Sequence, residues 1–140
     1  MFLKTVLKGL FEDFAISHLS MSTHILKKVV QVNSAALHII IPHRLNWALT
    51  EASVHAFIRL SERPCVVTLV CNFSEIPSYA PVWKLPNVNI ISNRRTLFGS
   101  FLQKIYSGEN GSKNNALALD RALEFFPKYD WAFMAHNDSS

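Results

Sequence analysis

Long apolar runs are missing from this chain of 140 residues. No stretch approaches the ~20 consecutive apolar residues that a membrane-spanning helix requires. Lys4, Lys8, Glu12 and Asp13 interrupt the N-terminal region, which is not typical of a secretory signal peptide. We therefore expect a cytoplasmic protein whose contact with a membrane, if it has one, is peripheral.

Cysteine and glycine are also scarce, with two and four residues respectively. Cys65 and Cys71 lie in one apolar segment, at a spacing that puts them on the same face of a strand. The chain has no Cys-x-x-Cys pair and no Cys/His set, so a zinc or redox site is not expected. The two thiols are predicted to be small core residues in a reducing compartment.

Strong charge of one sign is absent as well. The net charge is +4, but the Lys and Arg residues are scattered along the chain. No basic helix or aromatic-basic platform is present, so a nucleic-acid partner is not expected. Because 49% of the residues are hydrophobic, the composition instead predicts one packed domain.

Residues 1–35 are predicted to form a helical arm in two pieces. Apolar residues recur at helical spacing between Phe2 and Phe14, and Ser20 or Ser22 could cap a second piece. Two interpretations stay open for this arm. It packs on the domain or on a partner segment, or it lies on a membrane surface as a basic amphipathic helix, which the acidic residues near its middle disfavour.

Residues 36–140 are predicted to form an α/β domain. Short β-branched runs alternate with helical patterns, which favours a mainly parallel sheet with flanking helices and right-handed crossovers. Pro42 is expected to end the first strand. The predicted strands cover residues 37–41, 65–71, 87–91 and 129–135, and the predicted helices cover 47–60 and 112–126.

Each predicted strand is followed by polar residues. In an open parallel sheet, ligands bind beyond the carboxyl ends of the strands, so these segments are expected to converge on one cleft. The turn at residues 42–47 contains no glycine, which disfavours a dinucleotide-binding domain with a Gly-rich phosphate loop. The polar segments are residues 42–44, 72–74, 92–95 and 136–138.

From about residue 37 to 140 the chain resembles the first half of a family-two glycosyltransferase, a nucleotide-sugar enzyme with the GT-A fold. The resemblance implies a Rossmann-like half-sheet that binds a nucleoside-diphosphate sugar. Four segments carry it, in the family's order: an opening strand and turn, a second strand, the helix before the metal motif, and the strand leading into that motif. They are residues 39–46, 67–74, 111–123 and 129–138.

The resemblance also implies a divalent cation, Mn²⁺ or Mg²⁺, bound to the donor diphosphate. Asp138 matches the last carboxylate of the family's Asp-x-Asp motif and is the expected metal ligand. His136 stands where the family more often has aspartate. Because a neutral imidazole carries no negative charge, the metal affinity is expected to be weaker than with two acids.

Pro42, His43 and Arg44 match the family's opening turn, where backbone groups meet the nucleotide base. Cys71 occupies the position of the family's base-binding aspartate, followed by Asn72 and Ser74, and a thiol is a poor acceptor. This departure leaves the identity of the base open.

Arg94 and Arg95 are candidates for binding the diphosphate, because a guanidinium matches phosphate geometry. The equal alternative is that both arginines lie in a solvated loop.

The family's general base lies downstream of the metal motif, so no residue here is assigned to that role. We expect the chain to be truncated at its C-terminus, and whether it is an enzyme stays undecided. The acceptor is unknown. A non-catalytic α/β interaction module without nucleotide affinity is the alternative to a glycosyltransferase-like domain.

Overall fold

The computed structural model describes residues 21–105, 111–126 and 128–135. Within these residues the chain forms five strands and three α-helices. A single turn of 3₁₀ helix, Pro81–Lys84, precedes the fourth strand. The strands are β1 Met21–Lys27, β2 Leu37–His43, β3 Cys65–Asn72, β4 Val88–Arg95 and β5 Trp131–Met134, and the helices are α1 Trp47–Leu60, α2 Leu97–Ile105 and α3 Gly111–Phe125.

The five strands form one sheet in the order β1-β4-β3-β2-β5. Four of them are parallel. The strand β2 pairs in parallel with both β3 and β5, and β3 pairs in parallel with β4. The first strand pairs antiparallel with β4 at one edge. The predicted α/β class and mainly parallel sheet are therefore confirmed.

Helices cover both faces of the sheet. On one face, Ile39, Leu69 and Ile90 belong to the same buried cluster as Val54 of α1. On the other face, Ile40, Val70 and Ile91 are packed with Ala118 and Ala122 of α3. Residues that alternate along β2 therefore face different helices, which is why its sequence is apolar at nearly every position.

The boundaries of α1 match the predicted helix. Asn46 caps it, with a side-chain oxygen that accepts a hydrogen bond from the Leu49 N–H at 3.1 Å. The fourth strand is longer than predicted and runs through Arg95, so the polar segment at residues 92–95 lies inside a strand instead of after it. The helix α2 follows, within residues 93–111, which were predicted to form a long polar connection with some helical character.

Pro42 does not end β2, contrary to the prediction. The strand continues to His43, with Pro42 opposite Val70 of β3. The Ile40 carbonyl accepts a hydrogen bond from the Ala135 N–H, so Pro42, two residues on, also turns its backbone towards β5. Since β5 pairs only as far as Met134 opposite Ile40, the N–H that proline lacks is not required by the described ladder.

The predicted N-terminal helical arm is wrong where the structure describes it. Met21–Lys27 is a strand, and Ile25 lies opposite Ile91 of β4. Pairing with a distant strand outweighs the weak helical spacing of this short segment. The first part of the arm, up to residue 20, lies outside the described residues. No described helix combines the length and apolar character required to cross a membrane.

Candidate functional site

The carboxyl rim is the edge of the sheet at which the four parallel strands end. The strand order changes direction between β2 and β5, because β3 and β4 follow β2 on one side and β5 lies on the other. Ile40 of β2 is opposite Met134 of β5, so both strands end on this rim. In open α/β sheets the crevice at such a reversal is where ligands bind.

His43 ends β2 and is engaged by its neighbours. Its imidazole is 2% exposed, and its Nδ1 lies 2.8 Å from Oγ1 of Thr50. The ring meets Trp47 edge to face at 5.3 Å. Burial lowers the pKa of His43, against the opposing effect of a hydrogen bond with the Glu75 backbone. His43 is thus a neutral residue that holds the turn, while Arg44 beyond it is exposed.

Ser74 joins the ends of β2 and β3. Its hydroxyl donates a hydrogen bond to the His43 carbonyl at 3.0 Å. Pro42 is half-buried in the same region. Cys71 is only 1% exposed, and burial raises the pKa of its thiol to about 12. Its side chain belongs to the core beneath α1, where a nucleotide base has no access to it.

A chain of side-chain hydrogen bonds crosses three strands just inside the carboxyl rim. The Thr23 hydroxyl donates to Oδ1 of Asn93 at 2.6 Å. Nδ2 of Asn93 then donates to Oδ1 of Asn72 at 2.8 Å. Asn72 is 2% exposed and Asn93 is fully buried, so Asn72 serves first to fix the ends of β3 and β4.

Phe73 directly follows β3 with a left-handed backbone, at φ 59°. This conformation costs a non-glycine residue roughly 1–2 kcal/mol, so its surroundings must hold it in place. The Phe73 N–H donates to the Asn93 carbonyl at 3.2 Å, and the Arg95 guanidinium carbon lies 4.2 Å from the centre of the ring. The aromatic face therefore orients the Arg95 guanidinium.

Two guanidinium groups share the carboxyl rim. Burial lowers the pKa of Arg95, and the positive charge of Arg44 lowers it further, which places the two cations within electrostatic reach. Arg94 is exposed, and it faces the opposite side of the strand from its neighbour. Among the described residues at these strand ends, Glu75 is the one acid beside three arginines, so the rim is electropositive.

The predicted metal ligands, His136 and Asp138, lie outside the described residues. Within the described ranges, no group of three or more His, Cys, Asp or Glu side chains is placed to hold a metal ion. The structure therefore brings together His43, Arg44, Ser74, Asn72 and Arg95 and leaves the metal motif as a sequence-based expectation.

Sequence analysis did not find the roles of Asn93, Thr23 and Phe73. Asn93 lies in the polar segment at residues 92–95, and nothing in the sequence separates this buried residue from its exposed neighbour Arg94. Comparison of the chain with models of protein families, with curated proteins and with solved structures gave no match.

Proposed function

We propose that this domain binds the nucleoside diphosphate of a sugar donor at its carboxyl rim, as the first half of a glycosyltransferase-like site. The observation that carries the proposal is the Arg95 guanidinium held over the Phe73 ring, on the same rim as the exposed Arg44, which follows β2 where the strand order reverses. Two neighbouring guanidinium groups repel each other, and a bound diphosphate relieves that repulsion by placing negative charge between them.

Arg95 is prepared for this role before a ligand arrives. The Phe73 ring supports the flat face of the guanidinium. The N–H groups of a guanidinium lie in its plane, in a fork that matches the geometry of phosphate oxygens. Fixing a flexible side chain in advance lowers the entropy that binding costs. The strained backbone of Phe73 is the kind of feature that persists at binding sites.

The base of the nucleotide would contact the ends of β2 and β3. Since Cys71 is buried, the accessible groups there are Pro42, the exposed Arg44 and the half-buried Ser74. Asp138 and His136 follow β5 in the sequence, and β5 is the neighbour of β2. We propose that these two residues hold Mn²⁺ or Mg²⁺, which would neutralise the charge that the leaving diphosphate develops during transfer.

Isothermal titration with uridine diphosphate, with and without Mn²⁺, tests the proposal. We expect Arg95→Met to weaken binding about 10- to 100-fold, because one charge-assisted phosphate contact is lost. Arg59→Met removes the same charge from the last turn of α1 and should leave the affinity unchanged. Asp138→Ala should abolish the effect of Mn²⁺. Equal affinities for the native, Arg95→Met and Arg59→Met proteins would refute the assignment of the rim.

A non-catalytic interaction module is the second candidate, and the β5 edge favours it. Trp131 and Phe133 are 60% and 54% exposed, and among the described strands β5 pairs only with β2. An apolar edge strand invites pairing, here with a second copy of the chain. Dimerisation in light scattering that Phe133→Lys abolishes, together with no thermal shift from any nucleotide sugar, would favour this candidate over the first.

A further inference from the structure

A cavity lies at the amino rim, the edge of the sheet opposite to the carboxyl rim. Its volume is about 680 Å³, within the range of small-molecule sites. Three parts of the chain enclose it: the end of β1 with the turn that follows, the start of β3, and the loop between the 3₁₀ turn and β4. None of the residues proposed for nucleotide binding lines it.

The inner wall of this cavity is apolar and firmly packed. Val29, Ala36 and Val66 line it and form a buried cluster of their own, with exposures of 7%, 2% and 5%. Cys65 and Leu85 also line the cavity, but they belong to the core cluster beneath α1. A ligand that fills this space is therefore expected to have a hydrocarbon body.

The charge around the cavity has one sign. Among the described residues that line it, three are lysines and none is acidic. Lys27 is held in place, because its ammonium donates hydrogen bonds to the Leu85 and Val88 carbonyls. Lys28 and Lys84 are exposed and approach the opening from two different segments. An anionic group at the mouth of the cavity would meet both of these flexible ammonium groups.

We propose that this cavity binds a small amphipathic anion, with its hydrocarbon body against Val29, Ala36 and Val66 and its carboxylate between Lys28 and Lys84. Both parts of the ligand are needed. The apolar wall supplies binding free energy in proportion to the area it removes from water, and the lysines select the charged end. A compact inorganic anion would use the lysines alone, and a neutral chain would use the wall alone.

The proposal is tested on the native protein by titration calorimetry with dodecanoate, dodecanol and inorganic phosphate, each below its aggregation limit. We expect dodecanoate to bind at least tenfold more tightly than either of the others. Amide chemical shifts of Val29 and Val66 should move during the dodecanoate titration, which locates the ligand. Phosphate that binds as tightly as dodecanoate, or no binding of dodecanoate at all, would overturn the proposal.

A double variant separates the effect of the lysine charges on binding from the effect of the apolar wall. Lys28→Gln with Lys84→Gln should weaken dodecanoate binding about tenfold and leave dodecanol binding unchanged. Arg59→Gln, an exposed loss of charge at the end of α1, is the matched control and should change neither. Undiminished dodecanoate affinity in the double variant would contradict the role of the lysines. Uridine diphosphate should not compete with dodecanoate, so the failure of one proposed site would not contradict the other.

Discussion

Lowering the pH from 7 to 4 is expected to destabilise the fold by about 3 kcal/mol through His38 alone. Burial lowers the pKa of His38 from 6.5 to about 4 in the folded protein. The unfolded chain takes up this proton near pH 6.5, and the folded chain does not until about pH 4. Stability is therefore complete above pH 6.5, falls as the pH drops through this window, and levels off below it. His43, whose pKa is also lowered, adds a loss of the same sign.

The cause of this shift lies in the surroundings of the imidazole. His38 is fully buried, with its ring 4.6 Å from that of Tyr129 and 6.4 Å from that of Phe126. Its Nε2 lies 2.6 Å from the Thr68 hydroxyl, and its Nδ1 has no hydrogen-bond partner among the described residues. A protonated ring would need two acceptors, and only one is present at a bonding distance. No described carboxylate contributes to the shift of His38.

Urea unfolding at pH 7.0, 5.5 and 4.5 measures the effect. The His38→Gln variant should lose most of the decline between pH 6.5 and 4.5, because a carboxamide can still bond Thr68 and does not titrate. His24→Gln, at an exposed position of β1, should show the full decline. A pH profile of His38→Gln that parallels the native one would show that other groups control acid unfolding.

The elements that the sequence predicts well are those with local causes. Trp47–Leu60 has both a helical repeat and a capping asparagine, and its bounds were predicted correctly. The strand β3 is apolar over most of its length and rich in β-branched residues. A short run of this kind is typical of a fully buried strand. The strand β1 was missed because its conformation depends on pairing with β4, which is distant in the chain: Met21 lies opposite Arg95. Three consecutive residues of β1, His24, Ile25 and Leu26, are exposed, so its pattern lacks the alternation of a half-buried strand.

The candidate site divides in the same way. That polar residues lie near the carboxyl ends of the strands could be predicted, although Pro42 and residues 92–95 lie inside strands and not after them. Which of them are accessible at the rim could not be predicted, because His43 is fixed by Thr50 and a neighbouring loop, and Cys71 faces the core. The contact between Phe73 and Arg95 depends on the left-handed backbone of Phe73. Because phenylalanine rarely adopts this conformation, the sequence does not predict it.

Replacing Asn93 with leucine is expected to destabilise the protein by about 3 kcal/mol. The substitution removes the donor to the Asn72 carboxamide oxygen and the acceptor of the Thr23 hydroxyl, in a fully buried place. Water cannot replace either contact without opening the sheet. Because the chain of hydrogen bonds ties β1 to β4 and β4 to β3, we also expect Phe73 and Arg95 to lose their fixed positions. Urea unfolding gives the first effect, and titration with uridine diphosphate gives the second.

Thr23→Val measures the stability that the hydrogen bond from the edge strand contributes, separately from the bond between Asn93 and Asn72. This variant removes only the half-buried end of the chain of hydrogen bonds, so a loss of about 1 kcal/mol is expected, with nucleotide affinity retained. Hydrogen exchange at the β1 amides should accelerate in both variants, whereas the amides of β3 should be affected only by Asn93→Leu. If both variants lose the same free energy, the bond between Asn93 and Asn72 contributes nothing. The ends of β3 and β4 would then be held together by backbone pairing alone.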